Sequence, residues 1–197
     1  MKKKTSKVNI EIPTTTQLEN ELQRVKYKFR YNKLLKNTIY VILIVASLSL
    51  LLATLVFPVL KIYGKSMMPT LSSGDIVVGI KQSKYKNGDV IAFYYNNKIL
   101  VKRIVAVSLQ SVNIDESGNV YVDDELLVES YVYEKSFGES NIVFPYQVPD
   151  SNYFVLGDSR ENSVDSRNSS IGTIKEDEII GKIIFKVWPL KRFGLVK

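Results

Sequence analysis

A serine at position 66 opens the segment Ser66–Leu71, which reads Ser-Met-Met-Pro-Thr-Leu. A serine hydroxyl is a weak nucleophile and becomes reactive beside a base that removes its proton. Taken alone, such a serine is far more often a solvated turn residue than a catalytic group. The segment therefore predicts nucleophilic chemistry if a suitable base is supplied from elsewhere in the chain.

The candidate base is Lys102, in the apolar run Lys98–Val107. Strand alternation places Lys102 between Leu100 and Ile104 on one face, while Arg103 points to the other. A lysine with the ordinary pKa of about 10.4 is neutral only ~0.04% of the time at pH 7. Burial disfavours the ammonium, and a pKa lower by about 2–3 would make the amine a usable base. The alternative is an edge strand from which the ammonium reaches solvent.

A third segment, Gly157–Arg167, has one apolar residue among its eleven and is a loop by composition. Asp-Ser-Arg occurs in it twice, at 158–160 and at 165–167. Each copy offers a carboxylate and a guanidinium, which form bidentate ion pairs that fix a loop in one shape. A fixed loop suits the support of catalytic groups. A solvated surface loop is the alternative.

The sequence contains no histidine and no cysteine. A Ser-His-Asp triad, a thiol nucleophile, a Cys/His zinc site and a disulfide are therefore excluded. A nucleophilic enzyme built from this chain needs serine, threonine, tyrosine or a carboxylate as nucleophile. Its base must be lysine, a carboxylate or an amine.

The net charge of +7 is confined to one end of the chain. Residues 1–36 hold ten basic and three acidic residues, and the remainder holds seventeen of each. A nucleic-acid-binding domain would carry its basic excess on the folded part. The charge distribution therefore indicates no nucleic-acid partner and points to membrane topology.

An uncharged apolar run of 22 residues extends from Ile39 to Leu60. As a helix it would be about 33 Å long, which matches a hydrocarbon core of about 30 Å. A buried core helix is seldom so long and apolar, and the core of a cleaved signal peptide is usually shorter. We expect residues 1–38 to be a basic cytoplasmic tail, 39–60 a transmembrane anchor and 61–197 an extracytoplasmic domain. Within the tail, a short basic helix against lipid and a solvated segment are equally compatible with the sequence.

Beyond the apolar run the pattern changes to short segments rich in Val, Ile and Tyr, separated by turn residues such as Asn96-Asn97 and Asp123-Asp124. The predicted strands are Asp75–Ile80, Asp89–Tyr95, Ile99–Ser108, Val120–Leu127, Tyr131–Tyr133, Asn141–Phe144, Tyr153–Leu156 and Ile179–Val187. The fold class is therefore predicted as mostly β, a domain of short strands preceded by one N-terminal transmembrane helix.

Four segments, in this order after one apolar span, resemble the bacterial type I signal peptidases. They are Ser66–Leu71, Gly74–Val77, Lys102–Val107 and Gly157–Arg167. The resemblance covers roughly residues 39–190 and implies a signal-peptidase-like β domain. Gly64 stands where some members carry a serine that adds a hydroxyl to the oxyanion hole, so the chain is similar to the short form of Gram-positive bacteria.

The resemblance implies a Ser/Lys acyl-enzyme mechanism, with Ser66 as nucleophile and Lys102 as general base. It implies that Ser163 orients the base. Asp165 and Arg167 correspond to a structural ion pair, and Asp158 and Arg160 correspond to further support.

The implied substrates are exported precursors that carry N-terminal signal peptides with small residues at the −1 and −3 positions, cleaved at the cell membrane without metal or cofactor. The residues of the specificity pockets stay unassigned. Two alternatives remain open. The first is a membrane-bound assembly factor, for example for pili, on a peptidase scaffold. The second is a self-cleaving repressor-type Ser/Lys peptidase, although the span and the short tail speak against a DNA-binding domain.

Overall fold

The computed structural model describes residues 13–196. Its first element is an α-helix of 42 residues, α1 (Thr15–Val56). The helix is long and apolar enough to cross a membrane, and none of its most apolar stretch is buried inside the protein. Residues 1–12 of the predicted tail lie outside the described residues, and from Thr15 onward the tail is helical.

The helix ends at Val56, four residues before the predicted end of the span at Leu60. Proline lacks a backbone N–H and disfavours helical geometry in the residue before it, so Pro58 stops the helix. Residues Val59–Lys61 form a strand instead, and Leu60 packs against the core of the β domain. Residue contacts divide the chain into two units, the first extending to Leu52 and the second beginning at Ala53.

The second unit contains twelve short strands within the described residues. They are β1 (Val59–Lys61), β2 (Ile76–Ile80), β3 (Val90–Tyr95), β4 (Lys98–Ala106), β5 (Ser111–Ile114), β6 (Val120–Val122), β7 (Glu125–Leu126), β8 (Tyr146–Gln147), β9 (Asn152–Leu156), β10 (Ile174–Lys175), β11 (Ile179–Trp188) and β12 (Gly194–Leu195). One sheet has the order β1-β2-β11-β3-β4-β9-β10, with β12 beside β11, and the other has the order β7-β6-β5-β8. Every pairing is antiparallel, and the prediction of a mostly β domain is confirmed.

The hairpin between β3 and β4 sets the position of Lys102. Its turn residues Asn96 and Asn97 have φ angles of 43° and 61°, a left-handed geometry that two-residue hairpins require and that asparagine tolerates. The resulting register places Lys102 opposite Ile91. The same geometry recurs at the predicted turn Asp123-Asp124, which joins β6 to β7.

The predicted alternation along β4 holds as far as Ile104. Leu100 and Ile104 pack in one hydrophobic cluster and Val101 packs in another. A β-bulge between Ile104 and Ala106 then changes the register against β9. Because a bulge adds one residue to a strand, Val105 and Ala106 pack in the same cluster, against the predicted alternation.

Two predicted strands are wrong, because Tyr131–Tyr133 and Asn141–Phe144 are irregular. In the first, the Tyr131 side chain is engaged with Glu129 and lies under Arg103. In the second, Phe144 packs onto the core from an irregular segment that also includes Pro145. The strand predicted at Val120–Leu127 is split by its turn into β6 and β7.

Candidate active site

Ser66 follows β1 and lies in a tight turn. The N–H of Met68 donates to the carbonyl of Lys65 at 3.1 Å, and that of Leu71 donates to the carbonyl of Met67 at 2.7 Å. Met67 and Leu71 are buried in the core, so the turn is anchored on both sides. Ser66 itself is half-buried.

Lys102 is buried in β4 with 4% of its surface exposed. Its Nζ donates a hydrogen bond of 2.9 Å to Ser163 Oγ. Burial lowers its pKa from 10.5 to about 8. Asp165 and Asp158 act against this change by favouring the ammonium, and Arg167 acts with it. At pH 7 roughly a tenth of such a group is neutral, compared with about 0.04% of a free lysine.

Ser66 and Lys102 line the same cleft, which has a volume of about 620 Å³. One wall runs from β1 to the serine and comprises residues 59–64, Ser66 and Met67. The other wall is residues 97–102, from the hairpin turn to Lys102. The residue types predicted to act as nucleophile and base are therefore brought to one cavity from segments 36 positions apart.

The loop Gly157–Arg167 approaches Ser66 at its first residue. The N–H of Ser159 donates to the Ser66 carbonyl at 3.0 Å. A Cβ on Gly157 would lie 2.5 Å from Ser163 Cβ and 2.6 Å from the Ser66 carbonyl oxygen. Glycine is therefore needed at 157, because any side chain would push the Ser163 and Ser66 segments apart.

Asp165 and Arg167 form the predicted ion pair. The guanidinium donates from Nε to Oδ1 at 2.8 Å and from Nη2 to Oδ2 at 2.9 Å, and both side chains are buried. Asp165 Oδ2 also accepts the N–H of Gly157 at 3.0 Å. The pair therefore links the two ends of the loop, close to Ser163, which Lys102 contacts.

The other Asp-Ser-Arg copy forms no pair within itself, and this expectation is wrong. Asp158 instead accepts two hydrogen bonds from Arg103, at 2.8 Å from Nε and 2.7 Å from Nη2. Arg160 pairs with Glu129. In both cases the buried charge is paired with a residue from another segment of the fold. A buried charge needs an opposite charge beside it in the interior, wherever in the sequence that charge lies.

Arg103, Glu129 and Tyr131 are parts of the site that the sequence did not indicate. Arg103 lies 3.9 Å from the Tyr131 ring centroid, and Tyr131 donates to Glu129 at 3.0 Å. Burial raises the pKa of Tyr131, with the Glu129 charge as a further cause. One feature of the sequence could have indicated Arg103. It is a second basic residue in an apolar strand, and a buried guanidinium requires a buried acid as its partner. Glu129 and Tyr131 lie in a coil without a local pattern.

No cluster of three or more metal-ligating side chains occurs among residues 13–196. The site therefore consists of a half-buried hydroxyl, a buried amine of lowered pKa and a network of paired charges around them. That composition suits nucleophilic attack on a carbonyl assisted by an amine base.

Comparison with known proteins identifies the family. The family profile described as "Signal peptidase, peptidase S26" matches residues 35–188. Signal peptidase IB of Staphylococcus aureus (strain COL) is 35% identical over 152 residues, which cover 67% of this chain and 78% of that protein. "Probable signal peptidase I-1" of Synechocystis sp. is 33% identical over 174 residues, covering 81% of this chain and 86% of that protein.

Among solved structures, a signal peptidase I from Enterococcus faecalis V583 is similar with a TM-score of 0.43 and 25% identity, over 50% of this chain and 96% of that one. The family match spans more than half of the chain, and it includes all four segments singled out in the sequence. The chain therefore belongs to the signal peptidase family, peptidase S26, and is a serine endopeptidase that removes signal peptides from exported precursors.

Proposed function

We propose that cleavage proceeds through an acyl-enzyme, with Ser66 as nucleophile and Lys102 as general base. One observation carries this assignment: a buried amine with a pKa of about 8 lines the same cleft as the serine. The family match favours this processing activity over an assembly role on a peptidase scaffold.

In the first half-reaction, Ser66 Oγ attacks the carbonyl carbon of the scissile bond while neutral Lys102 takes the hydroxyl proton. The resulting oxyanion is stabilised by the backbone N–H of Ser66, and no side-chain donor is assigned at Gly64. When the C–N bond breaks, the Lys102 ammonium gives its proton to the leaving nitrogen. The mature chain departs with a free amine, and the signal peptide remains as an ester on Ser66.

In the second half-reaction, Lys102 removes a proton from water, which attacks the ester carbonyl. The ester C–O bond breaks and Ser66 recovers its proton, so the enzyme returns to its starting state.

Ser163 orients the base in this proposal, since it accepts the Lys102 hydrogen bond. The Asp165–Arg167 pair holds the loop that carries Ser163. Asp158 and Arg160 support the site through their pairs with Arg103 and Glu129. These are positioning roles, because all four charges are held in buried ion pairs.

The cleft offers two strand edges to an extended peptide. β1 pairs with β2 on one side, and β4 pairs with β9 only from Arg103 onward. The stretch 98–102 of β4 therefore pairs with β3 alone among the described strands and borders the cleft on its other edge. A signal peptide entering as a strand would satisfy these backbone groups, and its small −1 and −3 side chains would face the cleft walls.

The proposal places the enzyme in the cell membrane, anchored by α1, with residues 1–38 cytoplasmic and the β domain outside. The basic residues before the apolar run support this orientation. The partners are signal-peptide-bearing precursors and anionic lipid. The balanced charge of the β domain argues against nucleic acid.

The catalytic assignment is tested by coexpressing a preprotein and determining its mass. We expect the mature mass with the wild type and the precursor mass with Ser66→Ala. Lys102→Arg should also leave the precursor, because arginine stays charged and cannot act as a base. Processing by Ser66→Ala at the wild-type rate would overturn the nucleophile, and processing by Lys102→Arg would overturn the base.

Orientation is tested with single cysteines, which this cysteine-free chain allows without background. A membrane-impermeant maleimide added to intact cells should label Ser117→Cys, in the exposed turn between β5 and β6. It should not label Asn32→Cys, in the basic part of α1, until the cells are opened. The reverse pattern would contradict the proposed topology.

A further inference from the structure

A second cavity of about 180 Å³ lies next to the turn that carries Ser66. Met68 and Pro69 line it from the serine turn, and residues 158–162 line it from the supporting loop. Tyr133 and Glu134 complete its wall. The two cavities share no lining residue.

The serine turn contributes residues to both cavities. Ser66 and Met67 line the cleft, whereas Met68 begins the second cavity. Ser159, another lining residue of the second cavity, donates its N–H to the Ser66 carbonyl. A substrate whose signal peptide occupies the cleft and whose scissile bond lies at Ser66 continues beyond the serine, and the second cavity begins at Met68, two residues along the chain.

The charges around the second cavity are unbalanced. Asp158 and Arg160 are buried and neutralised by their partners Arg103 and Glu129. Glu134 and Glu161 are exposed, and among the described residues neither has a salt bridge. Glu161 accepts a hydrogen bond of 2.6 Å from Ser136, which holds its carboxylate in place.

An aromatic ring stands beside these carboxylates. Tyr133 is 87% exposed and lines the cavity next to Glu134. An exposed tyrosine ring attracts ammonium and guanidinium groups through its π face. Two carboxylates and a ring are complementary to a cationic side chain and repel an anionic one.

We propose that this cavity is the subsite for the first residues of the mature protein, and that Glu134 and Glu161 make it prefer lysine or arginine over aspartate or glutamate. The inference rests on the proposed function, because it requires the signal peptide to occupy the cleft and the bond to be cut at Ser66.

The test uses full-length enzyme in non-ionic detergent and three peptides with one signal-peptide sequence. The peptides differ in the first two residues after the scissile bond, which are Ala-Ala, Lys-Lys or Glu-Glu. We expect kcat/KM to be highest for lysine and lowest for glutamate, with about three- to tenfold between successive peptides at low salt. High salt should compress this range, because the carboxylates are exposed.

The decisive variant is the double change Glu134→Gln/Glu161→Gln. It should lose most of the discrimination between the charged peptides, measured as the ratio of kcat/KM for the Lys-Lys peptide to kcat/KM for the Glu-Glu peptide. Glu116→Gln is the matched control, an exposed acid in the β5–β6 turn outside both cavities, and it should keep the wild-type order.

Equal rates for the three peptides with the wild type would overturn the inference, as would an unchanged order in the double variant. Either outcome leaves Ser66/Lys102 cleavage intact. Failure of the proposed function looks different, because then no peptide is cut, or Ser66→Ala cuts them all.

Discussion

The amine of Lys102 is subject to opposing influences that together set its chemistry. Burial destabilises the ammonium most strongly, Asp165 and Asp158 stabilise it, and the nearby Arg167 destabilises it again. A fully desolvated lysine without acids nearby would have a still lower pKa and would be a weaker base. In the proposed mechanism, a pKa of about 8 keeps the amine basic enough to take a serine proton and neutral often enough to do so near neutral pH.

The first prediction concerns the acid limb of the pH–rate profile. In the proposed mechanism the neutral amine is the active form, so kcat/KM should rise with pH and level off above a pKa of about 8. Below pH 7 it should fall about tenfold per pH unit. A peptide without titratable side chains removes substrate ionisation from the profile. A flat profile from pH 5 to 9 would contradict the assignment of Lys102.

The second prediction concerns the cost of the buried amine to stability. The folded pKa of about 8 lies below the ordinary 10.5, so between these values the unfolded chain binds more protons and stability rises with pH. Below pH 8 this group therefore destabilises the fold by roughly 3 kcal/mol relative to high pH. Lys102→Met should be inactive yet more stable than the wild type at pH 7, by up to about that amount, in chemical denaturation. Equal or lower stability of the variant would contradict this.

At the scale of elements, the site depends on how closely the supporting loop approaches the serine turn. Gly157 does not need a positive φ, so alanine there is excluded by contact and not by backbone strain. Its missing side chain leaves the space that Ser163 and the Ser66 carbonyl occupy.

The third prediction is that Gly157→Ala lowers kcat/KM by at least about 100-fold, because the reacting groups are displaced by an ångström or more. Gly172→Ala is the matched control. Its Cβ would meet no atom closer than 3.8 Å, yet its φ of +61° gives alanine a backbone penalty. The control should lose some stability and keep its activity. Wild-type activity in Gly157→Ala would show that the close approach is not required.

The fourth prediction concerns the ion pair between Glu129 and Arg160, which joins the coil after β7 to the supporting loop. Glu129→Gln leaves Arg160 charged and unpaired in the interior, and should cost about 3–5 kcal/mol of unfolding free energy. The double variant Glu129→Gln/Arg160→Met removes that buried charge and should recover a large part of the loss. Denaturation of the single and double variants measures this coupling, and strict additivity would contradict it.

The elements also show which parts of the fold follow from local sequence. Ser66, Lys102 and the Asp165–Arg167 pair were singled out by residue type, strand alternation and short spacing, and the family resemblance then implied their roles. The Arg103–Asp158 pair joins residues 55 positions apart, and no local pattern reports such a contact. The first two residues of β1, Val59 and Leu60, were assigned to the membrane span because they continue the apolar run, and only the pairing of β1 with β2 shows that they belong to a strand. Glu129 lies in a short coil, and its role as the partner of Arg160 follows only from the tertiary structure that buries it.

At the scale of the whole molecule, the charge distribution separates two tasks. The basic excess lies before and within the first part of α1, while the β domain is neutral overall. We expect the anchor with its basic flank to hold the enzyme at a membrane, and we expect the neutral domain not to bind polyanions nonspecifically. Tethering raises the effective concentration of the enzyme for substrates held in the same membrane, but not for soluble peptides.

The fifth prediction separates anchoring from catalysis with two truncations. A chain lacking residues 1–52 keeps β1 and the whole cleft, so it should cleave a soluble peptide at the full-length rate. On a preprotein in vesicles it should be slower by at least about 100-fold, because the tether is gone.

A chain lacking residues 1–61 differs by nine residues but also loses β1, which pairs with β2 through three residues and forms one wall of the cleft. It should be inactive on the peptide as well, since the edge of the sheet and the core around Leu60 are left open. Equal activity of the two truncations on the peptide would show that β1 is not needed for cleavage, in agreement with the original assignment of Val59 and Leu60 to the anchor. If the chain lacking residues 1–52 were as active as the full-length enzyme on the preprotein in vesicles, the helix would not be needed to bring the enzyme to its substrate.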